Sequence, residues 1–98
     1  MSLVFEWNPR KAKSNVEKHG TTFAEAASVF SSPLARVFSD EEHSGEETRE
    51  IIIGYSAAKR LLLVCFTEPG VDRVRIISAR CATRRERHDY EENIANQA

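Results

Sequence analysis

Three β-rich runs in close succession constrain this chain more than any other feature. Glu50–Ser56 and Arg60–Glu68 are dense in isoleucine, leucine, valine and aromatic residues and are joined by Ala57-Ala58-Lys59. Pro69-Gly70, suited to the two central positions of a type II turn, then leads into a third run, Val71–Ala79. Connections this short join only antiparallel neighbours, since a parallel return needs a crossover of a dozen residues or more. The spacing therefore predicts an antiparallel meander.

Helical punctuation flanks it. Asn8-Pro9 offers an N-cap followed by proline at the first helical position, Ala12, Val16 and His19 form a stripe, and Gly20 stands where a left-handed C-terminal residue is expected, giving a helix over about 9–19. Thr22 and Glu25 have capping-box spacing ahead of Phe23, Ala26, Ala27 and Phe30, a second helix that ends by Pro33. Thr83 and Glu86 repeat that spacing and open a charged last helix to about Asn93, with Tyr90 and Ile94 as its apolar contacts. A short strand at Phe5 and Trp7 and an edge strand at Leu34–Phe38 complete an α+β pattern, with the helices expected on one side of the sheet. The expected core is Phe5, Trp7, Val16, Phe23, Ala27, Phe30, Ile51, Ile53, Leu62, Val64, Phe66, Val74 and Ile76.

With 98 residues, 41% of them hydrophobic, the chain has material for one domain spanning 1–98. Its longest apolar run, Leu61–Phe66, is far too short to span a bilayer, and the first residues lack a secretory pattern, so a cytoplasmic location and no membrane partner are expected. Cys65 and Cys81 show no metal-ligand or redox spacing, and His19, His43 and His88 are scattered, so neither metal nor cofactor is expected.

Net charge is only -1, yet the charges are segregated. Arg10, Lys11, Lys13 and Lys18 face Glu17 alone within residues 10–18, and Arg73, Arg75, Arg80, Arg84, Arg85 and Arg87 face Glu86 alone within residues 73–87. Between them, residues 40–50 carry six carboxylates against Arg49, which suits either docking on a basic partner or simple solubility. Two basic segments meeting in space would bind a polyanion even on a neutral protein, because phosphate contacts depend on local field; separate solvated faces are the plain alternative.

In Arg73–Arg80, strict alternation puts Arg73 and Arg75 on one face and Arg80 nominally with Val74 and Ile76. A guanidinium at a strand end offers planar paired donors that match a phosphate; an ion pair with Glu68 or Glu86 is the competing use. His19, at a helix C-terminus that favours imidazolium, suits proton exchange near neutral pH, or simply caps the helix. Lys11 and Lys18 are candidate phosphate contacts or solvated surface lysines.

The stretches FEWNPRKAKSNVEKHGTTFAEAASVF, REIIIGYS and RIISARCATRRERHDYEE, within about residues 4–92, resemble the BrnT family, the ribonuclease half of BrnT/BrnA toxin-antitoxin systems. The resemblance implies a RelE-like α+β fold and an RNA endonuclease needing no metal. It further implies a cognate antitoxin that neutralises the toxin and binds promoter DNA, so that DNA is touched only indirectly, and a toxin homodimer within a heterotetramer. The arginine closing its RIISAR motif is Arg80, its first-helix positions are Lys11, Asn15, Lys18 and His19, and Glu86-Arg87 matches its ER pair. The expected catalytic residues are thus Arg80, His19 and Glu68, with Lys11, Lys18, Arg73 and Arg75 on RNA. One departure stands out: where the family commonly has TERG, this chain has Thr67-Glu68-Pro69-Gly70, which puts a catalytically weakened, antitoxin-binding domain forward as the alternative.

Overall fold

Asn8 starts the first helix as its chemistry requires: its Oδ1 accepts from the backbone N–H groups of Arg10 at 2.8 Å and Lys11 at 3.2 Å. Gly20 ends that helix at φ 65°, its N–H returning to Val16 O at 2.8 Å. The computed structural model describes residues 2–40 and 48–95, so His43 and acidic residues 41–47 lie outside the described residues. The elements run β1 (Val4–Glu6), α1 (Pro9–His19), α2 (Phe23–Ser28) with a 3-10 turn at Val29–Ser31, β2 (Arg36–Ser39), β3 (Glu50–Tyr55), β4 (Leu61–Gly70), β5 (Arg73–Cys81) and α3 (Arg84–Ala95). Both expected N-caps form, Thr22 Oγ1 accepting from Glu25 N at 3.0 Å and Thr83 Oγ1 from Glu86 N at 3.2 Å, and at Thr83 the box closes, its N–H donating to Glu86 Oε1, whereas the Glu25 carboxylate turns to Arg60 and Ser56.

The five strands form one sheet in the order β1-β5-β4-β3-β2. From β2 to β5 it is the antiparallel meander, while β1 adds to β5 in parallel, pairing Val4 with Arg73 through Glu6 with Arg75. The fold is α+β, as expected.

Four local expectations are corrected. Helices cover both faces of the sheet: α1 and α2 pack over Ile52, Leu62, Val64, Phe66, Val74, Ile76 and Ala79, whereas Tyr90 and Ile94 of α3 pack over Ile53, Leu61 and Leu63. The reason lies in β3 and β4, apolar at successive positions and therefore burying both sides. The turn between β4 and β5 falls on Val71-Asp72, with Asp72 at φ 57°, so Pro69-Gly70 lies at the strand end; Pro69 sits within a register irregularity between Thr67 and Gly70, where no ladder donor is required of it.

On α1, Asn15 is buried and Val16 is 44% exposed, the reverse of the expected stripe. A free backbone edge on β5 is what Asn15 buries against.

The fourth correction bears on function. Phe66 pairs with Ile76 but Cys65 pairs with Ser78, so Ile77 is an extra residue in β5. The bulge inverts the alternation beyond it: Val74, Ile76 and Ala79 face α1 and α2, and Arg80 emerges on the same side as Arg73 and Arg75.

Candidate active-site cleft

Helix α3 is too short to cover its whole side of the sheet. Past Tyr90, the strand residues Ile51, Leu63, Cys65, Ser78 and Arg80 remain as the floor of an open cleft of about 340 Å³, walled by Asp40 at the end of β2 and His19 at the end of α1.

His19 reaches this cleft because α1 is tied to the bare edge of β5. Strand β1 stops at the Glu6–Arg75 pair, leaving Ala79 without a strand neighbour on that side. Asn15 substitutes for one: its Nδ2 donates to Ala79 O at 2.8 Å and its Oδ1 accepts from Ala79 N at 3.1 Å. The same Nδ2 donates to Thr21 O at 2.8 Å. Thr21 Oγ1 donates to His19 O at 3.3 Å, and Arg60 donates to Gly20 O at 3.3 Å while its Nε donates to Glu25 at 2.9 Å. That ion pair holds the Glu25 carboxyl below its ordinary range. The backbone carrying His19 is thereby fixed while its imidazole stays exposed.

Arg80 is held from the other side. Its Nη1 and Nη2 donate to Glu86 Oε1 at 2.8 Å and Oε2 at 2.9 Å, a fork-on-fork pair, and Glu86 Oε1 also accepts from Thr83 N at 2.8 Å. The guanidinium drives the Glu86 carboxyl down to about 2, against the opposing effect of burial. The Arg80 side chain remains 42% exposed, and among the described residues its Nε has no hydrogen-bond partner. It is a pinned cation lining the cleft, held through its two Nη atoms.

The cleft floor is softer chemically. Burial first, and then the Asp40 carboxylate, pushes the Cys65 thiol above its usual range, its Sγ donating weakly to Asp40 Oδ2 at 4.0 Å. That thiol is a proton donor here.

Of the residues singled out in the sequence, His19 and Arg80 line this cleft, and Lys18 is exposed beside His19. Glu68 does not line it. Three residues beyond Cys65, roughly 10 Å along the strand, Glu68 lies in a separate recess with Thr48, Glu50, Thr67 and Pro69. Burial and then the Glu68 charge raise the Glu50 carboxyl. Lys11 and Arg75 share a third recess with Glu6, Trp7 and Asn8, where Glu6 receives Arg75 Nε at 2.9 Å and stands 3.6 Å from Arg73 Nε. His88 pairs with Glu92 at 3.4 Å on the exposed side of α3. Asp40 is the cleft residue that sequence reasoning missed, because it sits in an acidic run whose composition suggested docking on a basic partner or simple solubility, and not a place in a cleft. Among the described residues, no group of three or more His, Cys, Asp or Glu side chains is placed to hold a metal ion, and no helix is long and apolar enough to cross a membrane.

Comparison with known proteins agrees with this architecture. A family model described as the ribonuclease toxin BrnT of type II toxin-antitoxin systems matches residues 7–86. The crystal structure of the Brucella abortus ribonuclease toxin BrnT is similar at a TM-score of 0.62 and 27% identity, covering 86% of this chain and 99% of that one. No curated protein matches by sequence. The matched span runs from Trp7, just past β1, to Glu86 in the first turn of α3 and so includes every residue of the cleft, and the chain belongs to the BrnT family of ribonuclease toxins of type II toxin-antitoxin systems.

Proposed function

We propose that this protein is a metal-independent endoribonuclease toxin that cuts RNA in the cleft between His19 and Arg80 and is neutralised by a cognate BrnA-like antitoxin. The observation that carries the reading is the convergence of those two side chains, distant in sequence, on one open cleft. Cleavage by the ribose 2'-hydroxyl requires that the adjacent phosphate be held, that its growing charge be neutralised and that protons move. Arg80 offers a fixed cation with a free Nε edge, so it pays little reorganisation when charge develops on a phosphoryl oxygen. His19, on a rigid backbone with an exposed ring, is the group for proton transfer.

The bulge at Ile77 lends support by putting Arg73, Arg75 and Arg80 on one side of β5, a basic track leading away from the cleft along which an RNA backbone can run. Lys11 sits beside Arg75, and Lys18 beside His19, as flanking backbone contacts. Glu68 lies in its own recess, so no proton step is assigned to it here.

Family membership brings an antitoxin partner and, in this reading, a toxin homodimer within a heterotetramer, action in the cytoplasm, and contact with DNA only through the antitoxin. The catalytically weakened alternative rests on Pro69. That residue lies four positions beyond Cys65, roughly 13 Å along β4, in the Glu50–Glu68 recess and outside the cleft, so the replacement leaves the cleft groups untouched.

Incubating the purified protein with RNA in the presence of a chelator tests the proposal. Internal cuts ending in 2',3'-cyclic phosphate are expected. Intact RNA, together with unimpaired growth when the gene is induced without its antitoxin, would support the binding-only alternative.

A further inference from the structure

Cleavage by 2'-hydroxyl attack moves two protons on opposite sides of phosphorus, and His19 accounts for one of them. We infer that Asp40 is the second catalytic group of the cleft, the acceptor of the 2'-hydroxyl proton; the inference rests on the ribonuclease reading above.

Strand alternation delivers Asp40 to the right side of the sheet. Arg36 and Phe38 of β2 face Ile53 and Leu63 beneath α3, and Asp40, two residues further, lines the cleft with Ile51, Leu63 and Cys65. Rigid structure carries it there: the Ser39–Glu50 pair ends the β2–β3 ladder, and Asp40 N then donates to Arg49 O at 2.9 Å, continuing that ladder by one step. The side chain is half-buried, with Oδ2 facing the Cys65 thiol. Since Cys65 is a thiol whose ionisation burial and Asp40 both oppose, it does not compete as a base.

His19 comes from the far wall. β2 and β5 stand three strand spacings apart, roughly 14 Å between backbones, and α1 lies beyond β5. A carboxylate on one wall and an imidazole on the other leave room for a phosphate between them, against the Arg80 guanidinium on the floor. With the two groups on opposite walls, the attacking and leaving oxygens of a phosphate lying between them are assigned to opposite sides of phosphorus, as in-line displacement requires.

The step balances without a further reactant. Asp40 takes the proton of the 2'-hydroxyl as that oxygen bonds to phosphorus. The bond from phosphorus to the 5' oxygen breaks, and the leaving oxygen takes a proton from the His19 imidazolium. The products are a 2',3'-cyclic phosphate and a 5'-hydroxyl, with Asp40 protonated and His19 neutral until water exchanges their protons.

The test uses the full-length protein and an RNA carrying one mapped cleavage site, made with either oxygen or sulfur at the 5' bridging position. Sulfur leaves without a proton donor. Asp40→Asn is expected to lower kcat about a hundredfold or more with KM changed only a few-fold. The sulfur substrate should restore much of the activity of His19→Ala and little of that of Asp40→Asn. Asp40→Glu, which keeps a carboxylate, should retain more activity than Asp40→Asn at a similar unfolding midpoint. Near-normal kcat for Asp40→Asn, or its rescue by sulfur to the same extent as His19→Ala, overturns the assignment to Asp40 while leaving the ribonuclease reading intact. A wild-type protein that cuts no RNA overturns both.

Discussion

Asn15 and Ala79 exchange a reciprocal pair of hydrogen bonds, 2.8 and 3.1 Å long, across the otherwise bare edge of β5. A side-chain amide thus occupies the position of a neighbouring strand, and through it α1 is tied directly to the bulged strand carrying Arg80. Asn15→Ala leaves buried donors and acceptors unmatched, at a cost of about 2–4 kcal/mol in stability. Asn15→Asp keeps the volume but sets a carboxylate against the carbonyl oxygens of Thr21 and Ala79, and should be at least as damaging. Denaturant unfolding of the two variants checks this; a change below about 0.5 kcal/mol in either would show the clamp to be dispensable.

Glu86 joins three tasks in one carboxylate: it caps α3 at Thr83, grips Arg80 and screens that cation. Its depressed pKa means that the folded state holds the ionised form more tightly than the unfolded chain does. The stabilisation is therefore present above the ordinary carboxylate range and fades as pH falls from about 4.5 toward 2. Because both side chains are partly exposed, solvent screening limits the effect, and Glu86→Gln should cost about 1 kcal/mol at pH 7. The deficit relative to wild type should shrink in acid; a deficit independent of pH would place the effect in packing instead.

Glu50 has the opposite sign. Burial and the neighbouring Glu68 raise its pKa, so the folded state prefers the protonated carboxyl, and stability is lost as pH rises through the raised value. Glu50→Gln should raise stability at pH 7–8 by a few tenths to about 1 kcal/mol, with the gain vanishing in acid. Thermal unfolding across pH measures it, and a neutral-pH loss on substitution would contradict the like-charge account.

The two cysteines should differ in reactivity. Cys65 is half-buried on the cleft floor and its thiol is pushed up by burial, while Cys81 is exposed. Iodoacetamide at pH 7.5 should label Cys81 first, as peptide mass analysis would show; preferential labelling of Cys65 would mean that the cleft floor is more open than described.

Much of this architecture was legible in the sequence because it rests on local chemistry. Asn8-Pro9, Thr22–Glu25 and Thr83–Glu86 mark helix starts by capping, and the apolar runs of β3 and β4 mark strands whatever surrounds them. What escaped depends on partners distant in the chain. The extra residue Ile77 is visible only against the register of β4, yet it decides the side on which Arg80 emerges. Asn15 fell outside the buried stripe expected of Ala12, Val16 and His19 because its partner, Ala79, lies on an edge created by the early end of β1. Asp40 looked like solvent-facing acid because alternation along β2 has meaning only once the strand is paired with β3. Pairing Arg80 with Glu86 was open to sequence reasoning, since a strand end six residues ahead of a capping-box glutamate brings the two together.

The central claim is that the pinned guanidinium of Arg80 stabilises the charge that develops on the scissile phosphate. Cleavage of a mapped RNA by Arg80→Ala, compared with wild type at matched folding, tests it most directly. Loss of a fixed donor to a developing oxyanion costs roughly 3–4 kcal/mol, so kcat should fall by about a hundredfold or more. Cleavage by Arg80→Ala at the wild-type rate would contradict it.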